Sequence, residues 1–454
     1  MKNNEITKDA FGKEFELSKD AFELVQSDAK IHDVKFETKP TTFAKDAFKR
    51  FTRNKSSVVG AIIIAFILLI TIIVPVVSPH NVSVDYASPK ESLLIPKLFE
   101  GGTGFWDGTK KETNIPYNSI TGLPIGNFEE RAIIGGKEGV EVYVNSEGDT
   151  VCKFRYDYYE HKLGTQVINV EKIKVNKYIE NGWMTLDYST GEYEILDKEK
   201  CPINKVYSID GNNVKAEVEY YKVLGYSKMP KYLFGTTEAG KDAFTLTFKG
   251  LGVSLLFSIF ISFICFIFGL VWGAVSGYFG GNVDLFMERF CDILGGVPTI
   301  VIVTLLRLHF GASFGIFVLA LCLTGWLSTS ARTRTQFYRF KGREYVLASR
   351  TLGSSDTRLI FKHILPNSLG TIVTSSVLMI PGVMFTEATL SYLHLGIEGI
   401  TTFGTILSQH QQFLETYPAL IVLPAIIISL LMISFNLFGN GLRDALNPSL
   451  KGSE

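Results

Sequence analysis

Six apolar stretches interrupt an otherwise polar chain, and each predicts a membrane-spanning helix. The clearest, 58–77, reads VVGAIIIAFILLITIIVPVV, twenty uncharged residues that can cross about 30 Å of hydrocarbon as a helix. A cleaved signal peptide would not follow 57 mostly polar residues. Five more spans are predicted at about 251–277, 293–306, 313–330, 369–393 and 419–438. The expected fold class is therefore an α-helical polytopic membrane protein with six transmembrane helices.

Basic residues concentrate on one side of this six-span arrangement. They precede the first span, fill the 331–367 segment and follow the sixth span, whereas the segment between spans five and six has no Lys or Arg. Short loops rich in Lys and Arg stay in the cytoplasm. We therefore expect a multi-pass plasma-membrane protein with both termini and 331–367 in the cytoplasm and 79–242 outside the cell.

The remaining polar segments suggest further divisions. Residues 1–41 are charged, lack a sustained apolar stripe and are expected to form a mobile cytoplasmic tail. Residues 42–78 combine a short amphipathic helix, with Phe43, Phe48 and Phe51 on one face and basic residues opposite, with the first span. This pattern favours a helix on the inner leaflet, and a plain juxtamembrane linker is the alternative. Residues 243–440 make up a five-helix core, and 441–454 make up a cytoplasmic tail.

The 79–242 insert is long enough for a domain of its own. Runs such as VEVYV, TVCKFRYDYY and KAEVEYY alternate apolar with polar residues, and Glu-Gly-Asp, Ser-Thr-Gly and Asp-Gly-Asn turn signals separate them. This predicts antiparallel hairpins and a β-rich extracellular insert. Cys152 and Cys201 both lie in it, where a disulfide would persist outside the cell. A disulfide between them and two free thiols both stay open.

Composition agrees with a membrane body plus a polar domain. Of the 454 residues 46% are hydrophobic and 20% charged, and 45 basic residues balance 45 acidic ones, which argues against a nucleic-acid binder. No CxxC or HExxH pattern occurs and the seven histidines are scattered along the chain, so neither a metal site nor a catalytic residue is expected. The run GTTEAGKD at 235–242 nearly fits a phosphate-binding loop, but Asp242 replaces the Ser or Thr that ligates magnesium. We therefore expect no ATPase site in this chain.

The 331–367 segment contains a predicted helix–glycine–helix elbow. Residues 344–352 fit a short helix, Gly353 can end it in the left-handed conformation, and Ser354 or Ser355 can cap a second helix with Asp356 in its first turn. Pro366 is expected to mark the boundary with the fifth span. Exposed apolar residues among positive charges favour a docking surface, and a connecting loop without a partner is the alternative.

This elbow resembles the EAA motif of ABC-importer permeases. Glu344, Gly353, Ile364, Leu365 and Pro366 match its spacing, whereas Tyr345 and Val346 replace its two alanines and Ala348 follows nearby. The resemblance implies that the elbow docks on an ATPase subunit. The coupling residues that it implies are Glu344, Ala348, Gly353, Asp356, His363, Leu365 and Pro366.

Residues 42–79 and 232–452 resemble the C-type permease subunit of oligopeptide and dipeptide importers (OppC/DppC type), and 80–231 do not. The resemblance implies a type I importer fold and four kinds of partner besides the lipid bilayer: a homologous B-type permease, two ATPases that hold ATP and magnesium, an extracellular peptide-binding protein and the peptide itself. Nickel or another small solute is the alternative cargo. A self-contained secondary transporter is a more distant alternative for the class of protein. Pro298, Pro381 and Pro424 are either hinges or packing kinks, and Glu387 is either a pathway acid or a structural hydrogen-bond acceptor.

Overall fold

The computed structural model describes residues 5–8, 14–17, 43–78, 89–99, 106–118, 123–124, 130–187 and 189–446, and the chain divides into two units, Met1–Phe48 and Lys49–Glu454. In the first unit, β1 (Glu5–Lys8) pairs antiparallel with β2 (Glu14–Leu17). This hairpin was not predicted from the sequence, because each strand is only four residues long. The rest of the predicted tail lies outside the described residues.

The amphipathic segment and the first span are separate helices, as predicted. Helix α1 (Phe43–Arg53) ends at Asn54, and α2 (Lys55–Val77) follows it. The buried stripe of α2 contains small residues such as Gly60, where a Cβ would lie only 2.8 Å from the carbonyl oxygen of Ser434. Helix α2 can therefore pack close to the last helix of the chain.

The first described sheet of the insert is antiparallel and four-stranded. Together with the helix that follows it, we call it lobe 1. Its strands are β3 (Thr109–Asn118), β4 (Leu123–Pro124), β5 (Glu141–Val144) and β6 (Thr150–Asp157), in the order β4-β3-β6-β5. Helix α3 (Tyr158–Leu163) follows directly, because the Asp157 carboxylate accepts the backbone N–H groups of its first turn at 2.8 and 3.1 Å.

Lobe 2 is a second antiparallel sheet with a helix against it. Its strands and helices are β7 (Thr165–Glu171), α4 (Lys172–Glu180), β8 (Met184–Leu186), β9 (Tyr193–Ile195), β10 (Ile203–Asp210), β11 (Asn213–Glu219) and α5 (Tyr220–Val223). The main sheet has the order β10-β11-β7, and β8 and β9 form a separate hairpin. The predicted β-rich insert is confirmed, although its three helices were not anticipated.

Helix α6 (Ala243–Phe279) is 37 residues long and starts well before the predicted second span. The Asp242 carboxylate caps it by accepting the N–H groups of Phe244 and Thr245 at 3.3 and 3.1 Å. The residue that spoils the phosphate-binding pattern therefore serves as a helix cap.

The predicted third span, 293–306, does not match one straight helix. Helix α7 (Gly281–Gly295) and α8 (Thr299–Phe310) meet at an angle of 74°. Pro298 lies at this break and caps α8 instead of lying inside a span, because the preceding Gly295-Gly296 pair ends α7 and a proline readily starts a helix.

The remaining helices complete the core. They are α9 (Phe314–Gly325), α10 (Leu327–Lys341), α11 (Glu344–Thr351), α12 (Asp356–Arg358), a π-helical turn (Leu359–Ile364), α13 (Leu365–Val377), α14 (Met379–Tyr392), α15 (Phe403–His410) and α16 (Ala419–Leu446). Among the described residues, five helices are long and apolar enough to cross a membrane, or six if the bent α7–α8 pair counts as one. The polytopic helical fold agrees with the prediction, but α10 stays helical to Lys341, so the loop between spans four and five is shorter than 331–367.

Three glycines one helical turn apart bring α6 against α10. A Cβ on Gly269, Gly273 or Gly277 would lie 2.6, 2.3 or 2.7 Å from the nearest atom of the facing helical segment. Only glycine permits this approach, as in other close helix pairs in membranes.

Candidate functional site

The predicted elbow is present at the end of α10. Helix α11 ends after Thr351, Gly353 adopts a left-handed conformation with φ +83°, and α12 starts after Ser355. A Cβ built on Gly353 meets nothing within 4 Å. Glycine is therefore favoured here by its backbone conformation and not by lack of space.

Pro366 was expected to mark the boundary between the elbow and the fifth span, and this prediction was wrong. The chain is one 37-residue helical stretch from Asp356 to Tyr392, and Pro366 is the second residue of α13. A proline clashes with the carbonyl four residues earlier in a regular helix. Here the wider π turn, Leu359–Ile364, comes directly before α13, and it allows the helix to pass through the proline.

The elbow is seated on the ends of α6 and α10 by an apolar cluster. Val346, Leu359 and Ile364 are fully buried and pack with Phe337 of α10 and Tyr278 of α6. Burial of this kind fixes the elbow to both helices, so a force on the elbow would reach them directly.

Hydrogen bonds fasten both arms of the elbow to the same place. The hydroxyl of Tyr278 donates to the Asp356 carboxylate, and Arg350 donates to the Tyr278 oxygen at 3.2 Å. Within the elbow, the Ser349 hydroxyl lies 2.9 Å from that of Ser354 and 3.3 Å from the Nε2 atom of His363. These bonds cross the Gly353 bend and hold the two arms together.

The opposite side of the elbow is open and apolar. Leu352 is 86% exposed and Phe361 is 56% exposed. Glu344 and Ala348 are exposed on α11, and Leu365 is half-buried at the start of α13. Exposed large apolar side chains next to cations are typical of protein docking surfaces.

The intramembrane candidates fall into different settings. Pro381 is buried at the third position of α14, just after α13 ends, and Pro424 is buried inside α16. Glu387 is fully buried and accepts hydrogen bonds from Ser254 at 2.8 Å and from Ser391 at 2.9 Å. This geometry fits the structural alternative for Glu387, since the carboxylate joins α14 to α6.

An ion-pair cluster near the elbow was missed by the sequence analysis. The Asp284 carboxylate at the start of α7 accepts two bonds of 2.6 Å from Arg334 of α10 and one of 2.8 Å from Tyr338. The sequence does show an acid and an arginine, each next to apolar residues. Because they lie 50 residues apart, no local pattern indicates that they form an ion pair.

The two insert cysteines are free thiols in this structure. Cys152 is buried in the core of lobe 1 and Cys201 in that of lobe 2. The free-thiol alternative therefore describes this structure. Among the described residues, no group of three or more His, Cys, Asp or Glu side chains is arranged to hold a metal ion.

The described chain is a polytopic helix bundle with an elbow that is fastened to two of its helices and exposes an apolar face. Comparison with known proteins gives the family. Residues 269–452 match the binding-protein-dependent transport system inner membrane component, and 42–94 match the N-terminal TM domain of oligopeptide transport permease C.

The matches with similar curated proteins extend over most of the length of those proteins. The oligopeptide transport system permease protein OppC of Bacillus subtilis is 39% identical over 232 residues, which are 50% of this chain and 76% of that protein. The dipeptide transport system permease protein DppC of Lactococcus lactis is 36% identical over 246 residues, 54% of this chain and 71% of that one. A chain from "Inward facing conformations of the MetNI methionine ABC transporter" is similar at a TM-score of 0.37 and 16% identity, covering 44% of this chain and 96% of that one.

The chain belongs to the family of binding-protein-dependent transport system inner membrane components. It is thus a permease subunit of an ABC transporter complex and not an enzyme. Neither family match covers residues 95–268, which include most of the insert.

Proposed function

We propose that this chain forms half of the translocation pathway of an ATP-driven importer of oligopeptides or dipeptides. The support for peptide as cargo is that relatives at 36–39% identity are named for oligopeptide and dipeptide transport. The single observation that carries the coupling role is the elbow, which is fastened to α6 and α10 on one side and open on the other.

The elbow and the insert lie at opposite ends of α6. At the N-terminal end of α6, the Thr245 hydroxyl donates to the Ser78 hydroxyl at 2.7 Å, and both residues adjoin the insert. At the C-terminal end of α6, the Tyr278 hydroxyl donates a hydrogen bond to Asp356 of the elbow. A helix of 37 residues is about 55 Å long, enough to separate the two sides of a membrane. With the basic residues at the elbow end, we assign the elbow and both termini to the cytoplasm and the insert to the outside of the plasma membrane.

In this proposal the exposed face of the elbow docks on a cytoplasmic ATPase subunit. Glu344, Ala348, Leu352 and Phe361 are the exposed elbow residues that would take part. ATP and magnesium bind in the ATPases. When these subunits close, they push the elbow, and the buried cluster passes the movement to α6 and α10 as a rigid-body rotation.

The complete importer would contain three membrane-associated partners of this chain and one external one. A homologous B-type permease supplies the other half of the pathway, two ATPases dock on the two elbows, and an extracellular binding protein delivers the peptide. The break at Pro298 and the buried Pro381 and Pro424 are the positions where helices can bend during alternating access.

Co-purification tests the coupling role. A tagged chain, expressed with its cognate subunits, should retain two ATPases that contain a Walker-A sequence. The variants Leu352→Asp and Phe361→Asp should lose them, because each places a carboxylate in the apolar docking face. Leu196→Asp is the matched control, since Leu196 is 58% exposed on the insert. Equal ATPase retention in all variants would remove the elbow as the docking site.

Uptake identifies the cargo. Cells that depend on this importer should accumulate a labelled dipeptide or tetrapeptide, and unlabelled peptide should compete. Competition by nickel but not by peptide would support the alternative cargo. Solute movement by the purified chain alone, in liposomes without any nucleotide hydrolase, would contradict the whole proposal and favour a self-contained transporter.

A further inference from the structure

A cleft of about 520 Å³ separates the two lobes of the insert. It lies where α3 ends and β7 begins, so residues of both lobes line it. The side chains that decide its chemistry are Lys90, Arg131, Glu160, His161, Lys162 and Gln166. Neither family match covers this region beyond residue 94.

Positive charge dominates the cleft. Lys90, Arg131 and Lys162 face one carboxylate, that of Glu160, among the lining residues. Partial burial lowers the pKa of Lys90, and burial together with nearby Lys110 lowers that of Lys162. Cations that pay a desolvation cost gain most from an anion bound beside them.

Two of the three cations bond the first residues of β7. Lys90 donates to the Gln166 side chain, and Arg131 donates to the Thr165 carbonyl. Lys162 donates to the carbonyl of Ser92 at 2.8 Å. The Glu160 carboxylate lies 3.4 Å from the Thr165 N–H. The positive end of the cleft therefore coincides with the beginning of this strand.

Strand β7 has one open edge. It pairs with β11, and no other strand among the described residues pairs with its opposite edge. The carbonyl of Gly164 accepts the Tyr220 N–H at 3.0 Å on the β11 side, whereas the Thr165 carbonyl points the other way, to Arg131. Backbone groups alternate along a strand, so those of Val167 and Asn169 face the open edge, whereas the Thr165 groups on that side are already bonded by the Arg131 and Glu160 side chains.

We propose that this cleft binds the C-terminal end of an extended peptide, which adds to the open edge of β7 as an antiparallel strand. Antiparallel addition places the C-terminus of the peptide opposite Thr165, where its carboxylate meets Arg131 and Lys90. Parallel addition would place the terminal ammonium group there and is opposed by charge. Main-chain bonds to the edge give affinity without demanding a particular sequence. This inference rests on the proposed function for the class of ligand, a free peptide.

Three synthetic peptides test the proposal on the purified full-length chain in detergent. They are a fluorescent pentapeptide of alternating Val and Thr with a free C-terminal carboxylate, the same peptide with a C-terminal amide, and the free acid N-methylated at alternate backbone nitrogens. Fluorescence anisotropy should show the free acid binding at least tenfold more tightly than either of the others. Raised salt should weaken its binding.

Two variants assign the site. The double variant Lys90→Gln with Arg131→Gln should weaken the free acid about tenfold and leave the amide unchanged. Lys153→Gln is the matched control, because Lys153 pairs with Glu141 at 2.9 Å on the other sheet of the insert. Size-exclusion profiles check that each variant is folded.

Equal affinity for acid and amide would overturn the carboxylate site and point to an internal loop of another protein as the occupant. Equal affinity for the methylated peptide would overturn strand addition. No binding of the free acid would overturn the proposal as a whole. None of these results depends on an ATPase, so co-purification and uptake still decide the proposed function separately.

Discussion

The Gly353 bend allows the coupling role to be tested by backbone conformation alone. At φ +83° an L-residue other than Asn or Asp is disfavoured by about 1–2 kcal/mol, and a Cβ there meets nothing within 4 Å. Gly353→Ala therefore introduces strain without a steric clash. A penalty of about 1 kcal/mol lowers the population of the bent elbow relative to a straightened one by about fivefold.

We expect uptake to follow that population. Gly353→Ala should reduce the initial rate of peptide uptake by at most about fivefold, whereas Gly353→Asn should reduce it less, because Asn tolerates the left-handed conformation. Gly353→Phe adds a large ring next to the docking face and should block uptake while the protein stays in the membrane. ATP hydrolysis in proteoliposomes that contain all subunits should fall in the same order.

Gly342 provides the matched control. It lies just before α11, a Cβ built on it also meets nothing within 4 Å, and its φ is −93°, so Gly342→Ala should leave uptake unchanged. Each rate is normalised to the amount of chain in the membrane, measured by immunoblot. Normal uptake by Gly353→Phe at an equal membrane level would refute the reasoning. An equal loss in Gly342→Ala would show that the segment is merely sensitive to substitution.

Three further changes test the contacts that hold the helices of the core together. Gly273→Leu should lower the thermal stability of the purified chain by several kcal/mol, because its Cβ would lie 2.3 Å from a carbonyl oxygen of α10, whereas Gly315→Leu, in open space, should not. Glu387→Leu should cost about 1–3 kcal/mol by leaving two buried hydroxyls without their acceptor, and Glu387→Gln should cost less; equal melting temperatures would contradict this. Asp284→Asn should destabilise the chain by about 2 kcal/mol, and adding Arg334→Gln should recover part of the loss in a double-mutant cycle; purely additive effects would deny the pairing.

Sequence periodicity predicted the features that are encoded locally. The apolar spans, the insert hairpins and the elbow each depend on residues a few positions apart, such as the glycine at 353 between two helical runs. Helix lengths were predicted less well. The polar turns at the start of α6 stay helical because the Asp242 carboxylate caps them. Those at the end of α10 stay helical beside Gly277 of α6, where a Cβ would lie 2.7 Å from Phe337. A local hydropathy pattern reveals neither contact.

The two errors at prolines have one physical origin. A proline signals only a missing N–H and a local clash, and its outcome depends on the preceding turn. After two glycines, Pro298 starts a new helix across a 74° bend. After a π turn, Pro366 lies inside a continuous helical stretch. The sequence near each proline is compatible with either result, so the backbone of the preceding turn decides.

Helix α10 holds both the elbow and the bent α7–α8 pair. Phe337 packs beneath the elbow with Val346 and Leu359, and Arg334, three residues earlier and hence on nearly the same face, binds Asp284 at the start of α7. A rotation of α10 driven at the elbow must therefore either carry the beginning of α7 with it or break two charge-assisted hydrogen bonds of 2.6 Å. Breaking such a partly buried pair costs more than a surface ion pair would. Movement of α7 together with α10 is consequently the lower-energy response, and the 74° break before α8 is the place where the rest of that span can bend instead of following.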